Sequence, residues 1–359
     1  MSGIATAFSR RLGLRVPLIQ APMAGGPSSP ALVAAVSGAG ALGSFGFAYT
    51  QPAEMQKQAA EVRAAGAFGI NLFLSPQPAA VPADQQLPAI DALAPWYREL
   101  GLDVPVPAAT PYAPDVEAQL DAVAAIRPAV FTSHLADLPA SRVAAFKALG
   151  IVVGGSATTV AEAKRLEALG CDFVIAQGGE AGGHRGTWLR DPYDAMTGVL
   201  ALTRLVVRAV NIPVVAAGGI MDGEGIAAAL ALGAQAAQLG TAFIPCPESG
   251  APEVHKRAIL EAREDDTRVT EKFSGKPARG LANRFMRDAA AFPQIAFPAQ
   301  NVLTGKLRQA SAKAGKPDFY ALWAGQAVPL ARALPAAELV AALERETIDA
   351  LRKAAALVQ

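Results

Sequence analysis

An α/β fold is predicted, a (β/α)8 TIM barrel with an insertion after its third strand and a C-terminal lid segment, and three observations predict it. Short apolar runs rich in β-branched residues alternate with Ala/Leu-rich stretches of helical spacing. Eight such units fill about 240 residues, the size of one such barrel. Asn71, His134, His184 and Thr241 sit at or just beyond the C-terminal ends of the runs, where barrels of this kind keep their reactive groups.

The runs span residues 16–21, 41–45, 68–73, 129–133, 151–154, 172–176, 213–217 and 235–240. The sixth, Asp172-Phe-Val-Ile-Ala176, is typical: it has no polar alternation, as expected of a parallel strand buried on both faces. Between the runs, residues 29–37, 53–65, 116–126, 159–169 and 223–232 carry apolar residues at helical spacing, several behind polar starts such as Ser29 and Thr159. Gly38-Ala-Gly-Ala-Leu-Gly43 matches G-x-G-x-x-G, but a dinucleotide fingerprint needs a strand before it and a helix after it. Here a helical stretch precedes and a strand follows, so the glycines read as a helix stop leading into strand two.

Two segments break the beat. Residues 75–114, proline-rich with Trp96 and Tyr97, are predicted to form a long excursion with short helices after strand three. Residues 246–320 follow strand eight and are predicted to fold back over the barrel mouth. A separate domain is the other reading, less favoured because barrels commonly reach this length with insertions. The expected organisation is a barrel over 1–245 that includes the insertion 75–114, a lid or substrate segment over 246–320, and helices over 321–359 that pack back on the barrel. The last of these is an amphipathic closing helix at 338–358.

Composition limits the function. The chain has 359 residues, 52% of them hydrophobic, enough for a large core. Its 32 Lys and Arg nearly balance 31 Asp and Glu without basic blocks, which argues against nucleic acid or an anionic membrane as partner and for a small neutral or anionic ligand. No signal-like or membrane-spanning apolar segment is read, so a cytoplasmic protein, monomer or homodimer, is expected. Cys171 and Cys246 are too few for a disulfide framework or metal cage and read as small buried residues; no metal site is expected.

The strongest chemical signal is Gln-Gly-Gly-Glu-Ala-Gly-Gly-His-Arg-Gly at 177–186, directly after strand six. Glycines there let something approach the backbone closely, and His184 supplies an imidazole suited to acid, base or hydrogen-bonding work near neutral pH. The second signal is Pro213-Val-Val-Ala-Ala-Gly-Gly-Ile220 followed one helix later by Gln238-Leu-Gly-Thr241. In such barrels the loops after strands seven and eight, with a short helix N-terminus, offer N–H groups to a phosphate without needing lysine. The plain alternative is that Gly218 and Gly219 only form a tight turn.

These residues resemble the nitronate monooxygenases, formerly 2-nitropropane dioxygenases, which are FMN-dependent barrels. The resemblance covers most of the chain: Gln20-Ala-Pro-Met-Ala24, Phe68-Gly-Ile-Asn-Leu-Phe73, the 177–186 segment, Ala217-Gly-Gly-Ile220, Gln238-Leu-Gly-Thr241, Ser274-Gly-Lys-Pro-Ala-Arg-Gly280, Pro298-Ala-Gln-Asn301 and Trp323-Ala-Gly-Gln326. The Gly-Gly-His-Arg segment looks like the class I, bacterial-type branch. The resemblance implies noncovalent FMN, with its phosphate at Gly218, Gly219, Gln238, Leu239, Gly240 and Thr241. It also implies that Asn71 and Gln177 face the flavin ring, that Ala21, Pro22 and Met23 pack on it, that Gly182 lets the loop pass close, and that Gln326 touches the flavin. It further implies oxidation of alkyl nitronates, typically propionate 3-nitronate, by one-electron transfer to the flavin, with consumption of O2, release of nitrite and formation of an aldehyde or oxo acid. NAD(P)H is not required, and detoxification of nitro compounds is the implied role.

Within that reading His184 is the catalytic residue, placing the nitro group and serving as base if a neutral nitroalkane is offered. Arg185 and Lys306 are candidates for a substrate carboxylate. His134 is a substrate contact or a support for one, with a structural histidine as the alternative, and His255 on the helical stretch 253–263 is expected at the surface. Phe297 and Leu303 stand where the family often has tyrosine, which removes polar contacts for an anionic substrate. The rivals are FMN-dependent NAD(P)H reductases of enoyl-acyl carrier protein or quinone, nucleotide-oxidising barrels with a loop cysteine, and a non-catalytic flavin binder. The 177–186 loop has no cysteine, and its intact histidine argues for catalysis.

Overall fold

Eight parallel strands wind around one axis in the computed structural model, which describes residues 3–75, 80–289 and 291–358. They are β1 (Leu18–Gln20), β2 (Gly43–Gly46), β3 (Phe68–Phe73), β4 (Val130–His134), β5 (Val152–Ala157), β6 (Phe173–Gln177), β8 (Val214–Ala217) and β9 (Ala236–Leu239), with the two-residue β7 (Gly183–His184) outside the barrel. Their order is β1-β9-β8-β6-β5-β4-β3-β2. Between the two ends of that order, Ile19 bridges Leu42, with Gln20 N–H donating to Leu42 O at 2.9 Å and Leu42 N–H to Leu18 O at 2.9 Å, which closes the barrel. All eight predicted runs are strands, with ends within a few residues of those expected.

The barrel interior holds Ile19, Leu42, Val130, Val152, Phe173, Ile175 and Val215, with the ring of Phe8 from the N-terminal helix tilted against that of Phe173, centroids 4.9 Å apart. Outside, a second layer joins strands to helices. Those helices start where the sequence places caps: the Ser29 side chain accepts from Leu32 N–H, Asp222 from Gly225 N–H, and Thr159 forms a reciprocal capping box with Glu162. Helix Pro30–Gly38 precedes the pseudo-fingerprint and β2 follows it, as read from the order of elements. The closing helix Ala336–Ala355 buries Leu339, Val340 and Leu343 in one cluster with Leu32, Val36 and Ile226 of two barrel helices.

The excursion after β3 differs from expectation. Instead of short helices it carries one 17-residue helix, Ala83–Glu99, with Pro88 and Pro95 inside it. Two interior prolines are costly, but Ala89, Ile90, Leu93 and Tyr97 bury a full face against Phe273, Phe285, Leu303, Leu307 and Phe319, and that burial outweighs the lost backbone hydrogen bonds. Residues 76–79 of the excursion lie outside the described residues. The segment after β9 supplies β10 (Thr267–Thr270), β11 (Ala278–Leu281) and helices Arg284–Asp288, Ala299–Leu303 and Gly305–Lys313. It therefore shares its apolar core with the excursion. Among the described residues no helix is long and apolar enough to cross a membrane.

Candidate active site

The carboxyl ends of the strands open into a cavity of about 530 Å³ that the segment after β9 roofs. One end is built from backbone. Gly218 and Gly219 follow β8 with φ of 114° and 67°, a region that only glycine enters without strain, and they line the cavity beside Gly240 and Thr241. Thr241 opens the 3-10 helix Thr241–Phe243 just past β9. Gln238 reaches the same wall, and its Oε1 is buried with no hydrogen-bond partner among the described residues. Leu239 does not reach it: strand alternation turns its side chain outward into the helix layer, so only its neighbours serve the cavity.

Ala21, Pro22 and Met23 after β1, Asn71 on β3 and Gln177 at the end of β6 form the middle of the wall. Asn71 Nδ2 donates to Thr132 O at 3.1 Å and Thr132 Oγ1 at 2.9 Å, which leaves its Oδ1 for the cavity. Gln177 also spans the base of its loop, donating to His184 O at 3.0 Å and accepting from Gly186 N–H at 2.8 Å. Gly182 permits a close crossing, since a Cβ there would meet the Ala324 carbonyl carbon at 2.6 Å. Gln326 is exposed and off the cavity; its backbone N–H holds Glu180 O at 3.0 Å, while Gly325 and Ala327 on either side line the wall.

His184 stands at the opposite end, and it is not in a free loop. As part of β7 it pairs with Ala278 of β11, so the 177–186 and 274–280 segments are stitched into one three-stranded sheet with β10. The ring is caged by Phe73, Trp323 and Phe297 at centroid distances of 5.5, 5.6 and 5.8 Å. Nε2 lies 2.9 Å from Ser274 Oγ. The Ser274 hydroxyl donates to Lys276 O at 3.2 Å, which lets its oxygen accept from His184 Nε2 and leaves Nδ1 as the lone-pair nitrogen. Burial pushes the imidazole down to about 3, with the charges of His134, Lys276 and Arg308 adding to the effect. The ring is neutral at pH 7.

His134 also lines the cavity and braces His184: its Nε2 donates to His184 O at 3.2 Å, and its Nδ1 accepts from Ser156 Oγ at 2.9 Å. Burial holds it near 4. The expectation for His255 is overturned. It is 2% exposed, lines the cavity and donates from Nε2 to Trp323 O at 3.0 Å, because helix Glu253–Glu261 lies under the 320–327 segment.

Both cations expected for a substrate carboxylate miss the cavity. Arg185 is fully buried, and its guanidinium holds the carbonyls of Gln177, Gly178 and Ala195; it directly follows β7 and does not line the cavity. Lys306 is exposed on helix Gly305–Lys313, where Gly305, Arg308 and Gln309 are the residues that reach the cavity. The sequence reading missed Arg308, Tyr49 and Tyr320. Tyr49 lies three residues past β2, a position that could have been noted as a strand end; nothing local marks Arg308. Phe297 does touch His184, whereas Leu303 lies in the roof core, its carbonyl holding the Tyr97 hydroxyl. Burial raises both Cys171 and Cys246 to about 12, which leaves them inert.

Fold and site together define a (β/α)8 barrel with a cavity at the carboxyl ends of its strands. The family model described as nitronate monooxygenase matches residues 9–346. A nitronate monooxygenase of Pseudomonas aeruginosa is 44% identical over 346 residues, covering 94% of this chain and 98% of the relative. Another from Paraburkholderia phytofirmans is 44% identical over 353 residues, covering 95% and 96%. The crystal structure of a nitroalkane oxidase from Streptomyces ansochromogenes superposes with a TM-score of 0.89 at 41% identity, covering 97% of this chain and 99% of that one. The chain belongs to the nitronate monooxygenase family and is an oxidoreductase.

Proposed function

We propose that the chain binds FMN without covalent attachment and uses it to oxidise alkyl nitronates of the propionate 3-nitronate type with O2, yielding an aldehyde or oxo acid and nitrite. One observation carries this reading: a single cavity joins the glycine-built loops after β8 and β9 to a caged, neutral histidine. The residues fit the cofactor. Its phosphate suits the backbone of Gly218, Gly219, Gly240 and Thr241 at the start of a helical turn. Its ring suits the wall of Ala21, Pro22 and Met23 with the amides of Asn71 and Gln177, and the orphaned Gln238 Oε1 awaits a donor. The cavity volume falls within the roughly 300–1,000 Å³ usual for small-molecule sites. When bound, FMN supplies an acceptor for single electrons from the nitronate.

The rest is the work of the protein. A nitronate has already lost its α-proton, so no base near pH 7 is required. A histidine pushed to about 3 is a poor base for a neutral nitroalkane but a good fixed hydrogen-bonding group for the nitro oxygens. Phe73, Trp323 and Phe297 keep water from the reacting end, and His134 and Ser274 fix the ring that orients the substrate. Removal of toxic nitro compounds is the role this activity would serve.

The test is oxygen uptake and nitrite release by the purified yellow protein with propionate 3-nitronate, beside an anaerobic sample mixed with NADH. Rapid uptake, stoichiometric nitrite and unbleached flavin are expected. Fast bleaching by NADH without nitronate turnover would overturn the reading in favour of an FMN-dependent NAD(P)H reductase.

A further inference from the structure

Arg308 is a part-buried cation whose Nε is fully buried, and no carboxylate among the described residues pairs with it. It lines the cavity from helix Gly305–Lys313, and its Nη2 donates to the backbone and side-chain oxygens of Asn301 at 2.8 Å each. Its Nε is buried and donates to nothing, Nη1 makes no hydrogen bond, and no carboxylate pairs with it among the described residues. Tyr49, on the same cavity wall, has a hydroxyl that is also buried and without a partner. Buried charges and polar groups in folded proteins are ordinarily paired, because an unpaired one carries its full desolvation penalty. Two unpaired donors on one wall of a ligand cavity are therefore donors held for an anion of the ligand.

We infer that Arg308 and Tyr49 form an anion-receiving subsite that takes a carboxylate tail of the nitronate substrate. This rests on the nitronate reading above and adds to it the place where the second charge goes. The guanidinium is the group best matched to a carboxylate, and it is always charged. Burial raises the Tyr49 phenol to about 12, so it remains a donor at neutral pH. The spacing suits a short chain. Phe73 lies between the two ends of the substrate path, its ring 5.9 Å from that of Tyr49 and 5.5 Å from that of His184, so one aromatic ring separates the tail subsite from the reacting end. The charge of Arg308 is also felt at both His184 and Tyr49.

The experiment compares kcat/KM for propionate 3-nitronate and for propyl-1-nitronate, in which a methyl replaces the carboxylate, in the FMN-loaded wild type, Arg308→Gln and Arg308→Lys. Loss of one partner of a buried charge pair predicts that Arg308→Gln lowers the preference for propionate 3-nitronate about tenfold or more, mostly through KM, and that Arg308→Lys restores part of it. Equal losses on both substrates, or no change on either, would overturn the subsite. Binding of 3-nitropropionate and 1-nitropropane by calorimetry separates this from the functional reading. If no variant turns over a nitronate but the wild type prefers 3-nitropropionate and Arg308→Gln does not, the functional reading fails and the subsite stands. An unchanged preference in Arg308→Gln sinks the subsite whatever the turnover.

Discussion

At one end of the cavity Gly218, Gly219, Gly240 and Thr241 present backbone at the tips of two neighbouring strands; at the other, Tyr49, His184, Arg308 and Tyr320 present side chains carried by four separate segments. The first end needs only local geometry. Positive φ at Gly218 and Gly219 demands glycine, and a glycine pair directly after an apolar run is visible in any reading of the chain. The second end needs the chain to return to the barrel mouth. β11 must pair with β7 to fix His184, and the roof core of Phe273, Phe285 and Phe319 against Tyr97 must form before helix Gly305–Lys313 can turn Arg308 inward.

That difference explains what was legible. The eight strands and their order along the chain follow from apolar periodicity, and the backbone-built end of the cavity follows from glycine. His184, which lines the cavity, stands out in the sequence because glycines flank it. Arg308 leaves no such mark, because an arginine on an amphipathic helix looks the same whether the helix turns it to solvent or to a cavity, and only long-range packing decides. Lys306 and Arg185 have the charge a carboxylate needs, but the same packing turns both away from the cavity. His255 followed the reverse course, a helical histidine that looked solvated until the 320–327 segment covered it.

If the backbone end holds the cofactor phosphate, the largest effect comes from charge placed there. Gly219→Asp puts a β-carbon 3.1 Å from Glu180 Cβ, in a left-handed conformation that an L-residue adopts only with strain, and adds a negative charge beside the proposed phosphate site. We expect folded protein with almost no bound flavin, measured by absorbance and by FMN released in acid. A fully flavinated variant would break the assignment of this end.

His184→Gln should do the opposite, keeping the flavin and lowering nitronate turnover by about 10²-fold. Because burial holds His184 near 3, the wild-type pH profile on a preformed nitronate should show no histidine limb between about pH 5 and 8. A limb close to 6.5 would show that the ring is solvated.

Stability should follow pH through the same residues. His184, His134 and His255 are held near 3, 4 and 4, against an ordinary 6.5. The unfolded chain therefore binds more protons between those values, so stability is complete above about 6.5 and falls as the pH drops toward about 4. Each histidine contributes a slope of up to about 1.4 kcal/mol per pH unit. Melting of wild type and His184→Gln from pH 7.5 to 4.5 should give the shallower decline in the variant; parallel curves would place His184 outside this group.

The smallest effect sharpens the comparison most. Lys306 and Arg308 share a helix and a charge sign, but the lysine is exposed and the arginine reaches the cavity. An exposed lysine on a flexible stem exerts a field that solvent and salt screen, and surface substitutions of this kind usually change energies by no more than about 0.5 kcal/mol. Lys306→Ala should therefore leave the ratio of kcat/KM for propionate 3-nitronate and propyl-1-nitronate within about twofold of wild type. A drop as large as that expected for Arg308→Gln would mean that total positive charge at the mouth steers the anion in, and that the direction in which the helix turns each side chain matters less than its place in the sequence.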